Sequence, residues 1–248
     1  MAVDYNAHAG KWKRDSPKHH SDFCGRPEVF GIVMENGLNK VILDLGCGEG
    51  YFSRKVARTA RKVIGIDRSE EMIRLAKERE KQERMGIRYH VGDVRSMPFV
   101  PNDSVDICVG NYITNYIHPD ELPQFYAEMA GVLKQDGSFV LLMPHPAFEL
   151  CTDFGEAIQY EGTENYSYRG SRGEFFNGVV RSFDGEVMPI GMYHSTLDDH
   201  SAGLAAAGMG ITKLVEPDFP ERIAEKYPVF RELPGKHACL ILVGQKLP

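Results

Sequence analysis

Val41-Ile42-Leu43-Asp44-Leu45 runs without a break into Gly46-Cys47-Gly48-Glu49-Gly50. A short apolar run of this kind reads as a buried strand, and glycine at every second position marks a tight turn after it. Tyr51–Ala60 then carries a helical pattern, so the unit is strand, turn, helix. Glycines in such a turn let a ligand come into contact with the main chain. A strand buried on both faces needs strand neighbours on each side and helices above and below. The rest of the chain has to supply them.

It does so at regular intervals. Lys62–Ile66, Ile87–Val91, Val105–Val109 and Ser138–Met143 read as strands, each bounded by Gly, Asp or Asn. Between them, Ser69–Arg84 opens with a serine cap and two acidic residues, which suits a helix N-terminus. Pro119–Leu133 has apolar residues at helical spacing and ends near Asp136-Gly137. Strand alternating with helix predicts a doubly wound α/β fold. A chain of 248 residues accommodates one such domain with insertions. Residues 1–36 are expected as an N-terminal helical cap and 37–146 as the ligand-binding core. Residues 194–248 are expected to hold a helix and two closing strands, Ile211–Val215 and Ala238–Val243. Ser195-x-x-Asp198 or Thr196-x-x-Asp199 caps that helix, which runs to about Ala207.

Residues 147–193 break the rhythm. Phe148, Phe154, Tyr160, Tyr166, Tyr168, Phe175, Phe176, Phe183 and Tyr193 make this stretch roughly twice as aromatic as the chain's 10%. Asn177-Gly178 and Asp184-Gly185 read as hairpin turns. Long insertions in compact domains are functional or disordered, and aromatic richness argues against disorder. The expectation is a lid over a substrate pocket.

Composition narrows the partners. A net charge of −6 argues against a broad grip on nucleic acid. The local basic run Lys11-Trp12-Lys13-Arg14 reads as a solvated face. Five scattered cysteines fit neither a disulfide framework nor a zinc site, so no metal is expected. The first twenty residues lack an apolar run, and no stretch approaches bilayer-spanning length. These features predict a cytoplasmic protein, monomeric or homodimeric, acting on a small molecule.

Charge and spacing at the glycine turn select the ligand. Dinucleotide sites use GxGxxG, whereas this chain has GxGxG. Asp44 and Glu49 place carboxylates where a pyrophosphate would meet the helix N-terminus. They suit a ligand carrying an ammonium and a sulfonium, the charge pattern of S-adenosylmethionine (SAM). Asp67 ends the second strand, placed for ribose hydroxyls. Asp93 follows the third, placed for an adenine amino group.

LDLGCGEG, VIGID, GDVRSMPF, SVDICVGNYITNYI and LKQDGSFVLLMPHP, in that order, resemble the successive motifs of class I SAM-dependent methyltransferases. The resemblance covers residues 40–145 and implies a Rossmann-like, seven-stranded sheet with an antiparallel last strand. It implies that Asp44, Gly46, Cys47, Gly48 and Gly50 surround the methionine part of SAM, with Asp67 on the ribose. Asp93, Val94 and Arg68 would meet the adenine, Asn111 would line the same site, and Tyr5 would reach over the cofactor. The cofactor would leave as S-adenosylhomocysteine (SAH).

In open α/β sheets the pocket lies beyond the carboxyl ends of the strands. That places Tyr112, Tyr116 and His145 near the acceptor, with Tyr193 and His194 where the lid rejoins the core. His145 and His194 are candidate general bases. The Asn/Asp-Pro-Pro-Tyr/Phe motif used on exocyclic amines is absent after the fourth strand. An aromatic cover points to methylation of an oxygen, nitrogen or carbon atom of an aromatic or heteroaromatic metabolite, of the kind met in secondary metabolism. The alternatives are a nucleotide-dependent oxidoreductase and a non-catalytic SAM-binding protein.

Overall fold

The computed structural model describes residues 4–248, so residues 1–3 of the expected cap lie outside the described residues. In chain order the elements are α1 (Tyr5–Trp12), α2 (Gly25–Asn36), β1 (Val41–Leu45), α3 (Tyr51–Val56), β2 (Lys62–Asp67), α4 (Glu70–Glu83), β3 (Arg88–Val91), β4 (Val105–Asn111), α5 (Leu122–Val132) and β5 (Leu133–Pro144). They continue as β6 (Ile158–Tyr160), β7 (Phe175–Arg181), β8 (Val187–Tyr193), α6 (Leu197–Ala206), β9 (Met209–Val215), α7 (Glu221–Lys226) and β10 (Cys239–Lys246).

The main sheet has the order β3-β2-β1-β4-β5-β10-β9. Strands β1 to β5 pair in parallel, and β10 is antiparallel to both of its neighbours. This is the expected seven-stranded, doubly wound sheet with an antiparallel last strand. All five residues of β1 are buried, as its central position requires. Alternate residues divide the core into two layers. Ile42, Val63, Val109 and Leu142 pack on one face with Val29 and Val33 of α2 and Phe52 and Val56 of α3. Leu43, Ile64, Cys108 and Leu141 pack on the other with Phe125, Tyr126 and Met129 of α5.

Several boundaries differ from expectation, each for a local reason. Helix α3 stops at Val56 rather than Ala60, because the chain must turn back into β2: the Asn39 N–H donates to the Thr59 carbonyl and the Arg61 N–H to the Lys40 carbonyl. Asp136-Gly137 does not end a helix. It forms an irregularity inside β5, with Asp136 at φ 61°, between the Leu133 and Ser138 pairings to β4. Asn177-Gly178 is not a turn either, but mid-strand in β7. Glycine is needed at 178 because a Cβ there would strike the Gln159 carbonyl and the Tyr160 ring of β6. Asp184-Gly185 does turn the β7–β8 hairpin, with Gly185 at φ 87°.

Residues 147–193 thus hold a separate antiparallel sheet, β6-β7-β8, with Leu150, Phe176 and Met192 packed beneath Tyr160 and Tyr166. Of the two capping signals after it, Thr196 is the one used. Its hydroxyl accepts from the Asp199 N–H while the Asp199 carboxylate accepts from the Thr196 N–H. No helix among the described residues is long and apolar enough to cross a membrane.

Candidate functional site

The carboxyl ends of β1, β2 and β4 open on one cavity of about 460 Å³. The turn after β1 is fastened to β2 by its own backbone. Gly46 and Cys47 both donate to the Ile66 carbonyl at 2.9 Å, and the Gly48 N–H donates to Asp67 Oδ2 at 2.9 Å. The other Asp67 oxygen accepts from the Ser69 N–H at 2.9 Å. A carboxylate has about four acceptor positions, so Asp67 keeps capacity for a ligand.

The turn glycines have different tasks. Gly48 sits at φ 54° on the cavity wall, and a Cβ there would meet no protein atom within 4 Å. Gly50 sits at φ 85° at the start of α3, where a Cβ would enter the Tyr89 ring. Gly46 and Cys47 line the cavity with Gly48, whereas Gly50 does not. Its expected ligand contact is therefore replaced by a packing role.

The two carboxylates of the loop also differ. Glu49 is paired with Arg54 at 2.7 Å and is largely neutralised. Asp44 is 1% exposed, has no cation bonded to it among the described residues, and accepts from the Ser53 hydroxyl. Burial raises its carboxyl to about 6. Repulsion of a pyrophosphate therefore rests on Asp44 and Asp67 rather than on Asp44 and Glu49.

Arg68 borders the cavity and an adjoining recess of about 50 Å³ that includes Asp93 and Val94. The Asp93 carboxylate is gripped by Arg95, with a 2.5 Å contact, and lies 44% exposed. Asn111, at the end of β4, lines the cavity with both amide atoms buried and unpartnered among the described residues. Tyr112 follows at φ 60°, a left-handed angle that is uncommon for an aromatic residue and is often held at functional sites. Its buried hydroxyl is likewise unpartnered among the described residues, and the Arg26 guanidinium lies 5.5 Å from its ring centroid. Tyr5 and Tyr116 share a hydrogen bond between their hydroxyls at the mouth. Tyr193 completes this wall.

The two histidines do not join them. Neither His145 nor His194 lines the cavity, although Pro144, one residue away, does. His145 accepts the Ala147 N–H at Nδ1 (3.2 Å), so its Nε2 carries the proton donated to Glu216 (2.9 Å). Burial also lowers its pKa. No lone pair remains to act as a base. His194 is fully buried and donates through Nε2 to the Tyr168 carbonyl at 2.7 Å, in the connection between β6 and β7. The expected base and substrate contacts of both are corrected to packing roles. His145→Asn should lower stability by about 1–2 kcal/mol, the value of its hydrogen bonds, and leave ligand affinity within about twofold. Thermal melts paired with calorimetry check this, and a lost affinity at unchanged stability would contradict it.

Some site residues were not legible in advance. The basic run at 11–14 is divided: Lys11 and Lys13 are exposed, as a solvated face requires, whereas Trp12 and Arg14 line the cavity, with Arg14 8% exposed and its guanidinium 4.6 Å from the Tyr51 ring centroid. Arg14 and Arg26 share the buried Asp22, at 3.2 and 3.4 Å. Burial pushes the Asp22 carboxyl up, but the two guanidiniums override it and leave it below the usual range. His19 and His20 are held neutral by burial, at about 4 and about 3. Glu149 and Tyr160 also line the cavity. The charged spacing Arg14-x7-Asp22-x3-Arg26 was the available signal, though nothing in the order of residues says where that segment returns. Among the described residues, no group of three or more His, Cys, Asp or Glu side chains could hold a metal ion.

Residues 42–137 match the methyltransferase domain family. An uncharacterized methyltransferase of Bacillus subtilis, YcgJ, is 32% identical over 102 residues, covering 41% of this chain and 39% of that protein. The trans-aconitate 2-methyltransferase of Afipia carboxidovorans is 29% identical over 211 residues, 75% of this chain and 79% of its own. A putative SAM-dependent methyltransferase from Listeria monocytogenes has the same fold, with a TM-score of 0.63 at 22% identity, covering 90% of this chain and 99% of that one. The chain spans 35–43% of the length of the first curated relatives it matches, so what they share is chiefly the cofactor half. The ordered motifs, the sheet order and the glycine turn agree with the family match: over residues 42–137 the chain is similar to the class I SAM-dependent methyltransferases.

Proposed function

We propose that the protein transfers a methyl group from SAM to an oxygen or nitrogen atom of a small aromatic or heteroaromatic acceptor. The observation that carries this reading is the continuity of one cavity. The same cavity is lined by Gly48, by Asn111 and Tyr112, and by Tyr160, Phe175, Val180 and Ile190.

The residues fit the cofactor. Gly48 leaves room for ligand atoms at van der Waals distance from the backbone, and the orphaned amide of Asn111 needs a polar partner. Asp44, without a bonded cation among the described residues, suits the ammonium, and Arg14 with the Trp12 indole N–H suits the carboxylate. Asp67 receives the ribose hydroxyls. The recess beside Arg68, Asp93 and Val94 receives the adenine, in competition with Arg95 for the Asp93 oxygens. When bound, SAM supplies a methyl group already activated on a sulfonium. The protein's part is to align the acceptor and exclude water.

Flat aromatic walls favour a flat acceptor, and residues 147–193 contribute Tyr160, Phe175 and Tyr193 to them, which is the role we assign to that segment. A relative that aligns over most of both chains is named for a reaction on trans-aconitate, a small molecule, and this agrees in size class.

Asp67→Ala should weaken SAM binding by about 1–3 kcal/mol through loss of charge-assisted hydrogen bonds. Isothermal calorimetry reads the change, and unchanged affinity would move the ribose elsewhere.

A further inference from the structure

With His145 and His194 turned away, the cavity wall still holds proton acceptors that the reading above does not use. Burial makes His19 and His20 weak bases, Glu49 and Glu121 are paired with Arg54 and Arg95, and Glu149 remains. Glu149 follows β5 in a tight turn, its N–H donating to the His145 carbonyl at 2.9 Å. It is 5% exposed and lines the cavity. Oε1 accepts from the Tyr160 hydroxyl at 3.2 Å, whereas Oε2 is buried and has no partner among the described residues. A buried carboxyl oxygen without a partner is costly unless a ligand meets it.

We propose that Glu149 is the base of this site, its Oε2 taking the proton that an acceptor O–H or N–H group loses on methylation. The heteroatom's lone pair forms the new bond to carbon, the carbon–sulfur bond breaks with its pair left on sulfur, and the proton passes to ionised Glu149. The carboxyl ends neutral and returns the proton to solvent when product leaves. A phenol, enol or amine needs such a partner. A carboxylate acceptor does not, so the assignment selects the acceptor class.

The surroundings suit the role. The titratable groups facing Glu149 are Tyr160 on β6, Cys24 before α2, Tyr112 after β4 and Cys239 on β10, none of them a cation. The Arg26 guanidinium lies 5.5 Å from the Tyr112 ring centroid and is paired with Asp22. Burial therefore dominates and raises Glu149 to about 8, with the Tyr160 hydrogen bond opposing it. A base is most effective near the working pH.

The assignment rests on the methyltransferase reading, and one titration separates the two. Calorimetry at pH 8 in buffers of different ionisation heat counts the protons released when SAM or SAH binds. The SAM sulfonium brings a positive charge into the cavity, whereas the SAH thioether does not. A downward shift of about one unit in Glu149 makes SAM release about 0.4 proton per chain more than SAH. Asp44, at about 6, is already ionised at this pH and contributes little. Glu149→Gln should abolish the difference. Tyr160→Phe should move it to higher pH, because the hydrogen bond that favours the carboxylate is gone. The same difference in wild type and Glu149→Gln, or no difference in wild type, would overturn the assignment of Glu149. Failure of wild type to bind SAM would overturn the methyltransferase reading and the assignment with it.

Discussion

Gly48→Val is expected to cut SAM affinity by at least about a hundredfold, roughly 2.7 kcal/mol, while the protein stays folded. The side chain would project from a φ of 54° into space that no protein atom occupies within 4 Å. The protein itself therefore resists only through backbone strain, on the order of 1–2 kcal/mol for a left-handed residue. In a domain of this size that is a melting shift of about 2–8 °C. Gly50→Val, two residues on, should behave in the opposite way. Its side chain would enter the buried Tyr89 ring, so the variant should lose the fold or most of its stability. Calorimetry and thermal melts on the pair separate a ligand contact from a packing contact. Wild-type SAM affinity in Gly48→Val would remove the turn from the site.

Glu149→Gln should become more stable relative to wild type as pH rises. Burial lifts the folded-state carboxyl to about 8 from an ordinary value of 4.5. The folded protein thus keeps a proton that the unfolded chain has already released. The stability this proton confers is complete below about pH 4.5 and is lost as pH rises through about 8. At about 1.4 kcal/mol per unit, the loss is on the order of 3–5 kcal/mol. Glutamine keeps the shape and does not titrate. The melting temperature of the variant minus that of wild type should therefore swing upward by about 10 °C between pH 5 and 8.5. Parallel profiles would mean that Glu149 is solvated and ordinary.

The fold was readable from the strands because burial of β1, β2, β4 and β5 is written largely in aliphatic residues, and the acids at the strand ends mark the turns. The cavity was readable only where a residue's direction follows from its element. Asp67 and Asn111 end strands and must face the carboxyl edge. His145 directly follows one, yet alternation puts Pro144 on the cavity and turns the imidazole toward Glu216. Asn177-Gly178 carries a turn signal, but a close strand neighbour explains that glycine as well as a turn does. Arg14, Arg26 and Glu149 were out of reach for a different reason. Their roles depend on segments before and after the core folding back over the same opening, and that is a tertiary fact. Glu149 did carry one faint mark, a lone acid between Phe148 and Leu150.

The central claim is that the turn between β1 and α3, with Asp44 and Asp67, holds a cationic sulfonium cofactor rather than a dinucleotide. Calorimetric titration of the wild-type protein with SAM, SAH and NAD at pH 7.5 tests it most directly. The account predicts saturable binding of one SAM or SAH per chain and no heat from NAD, with SAM binding lost in Gly48→Val. Saturable NAD binding without SAM binding would contradict it.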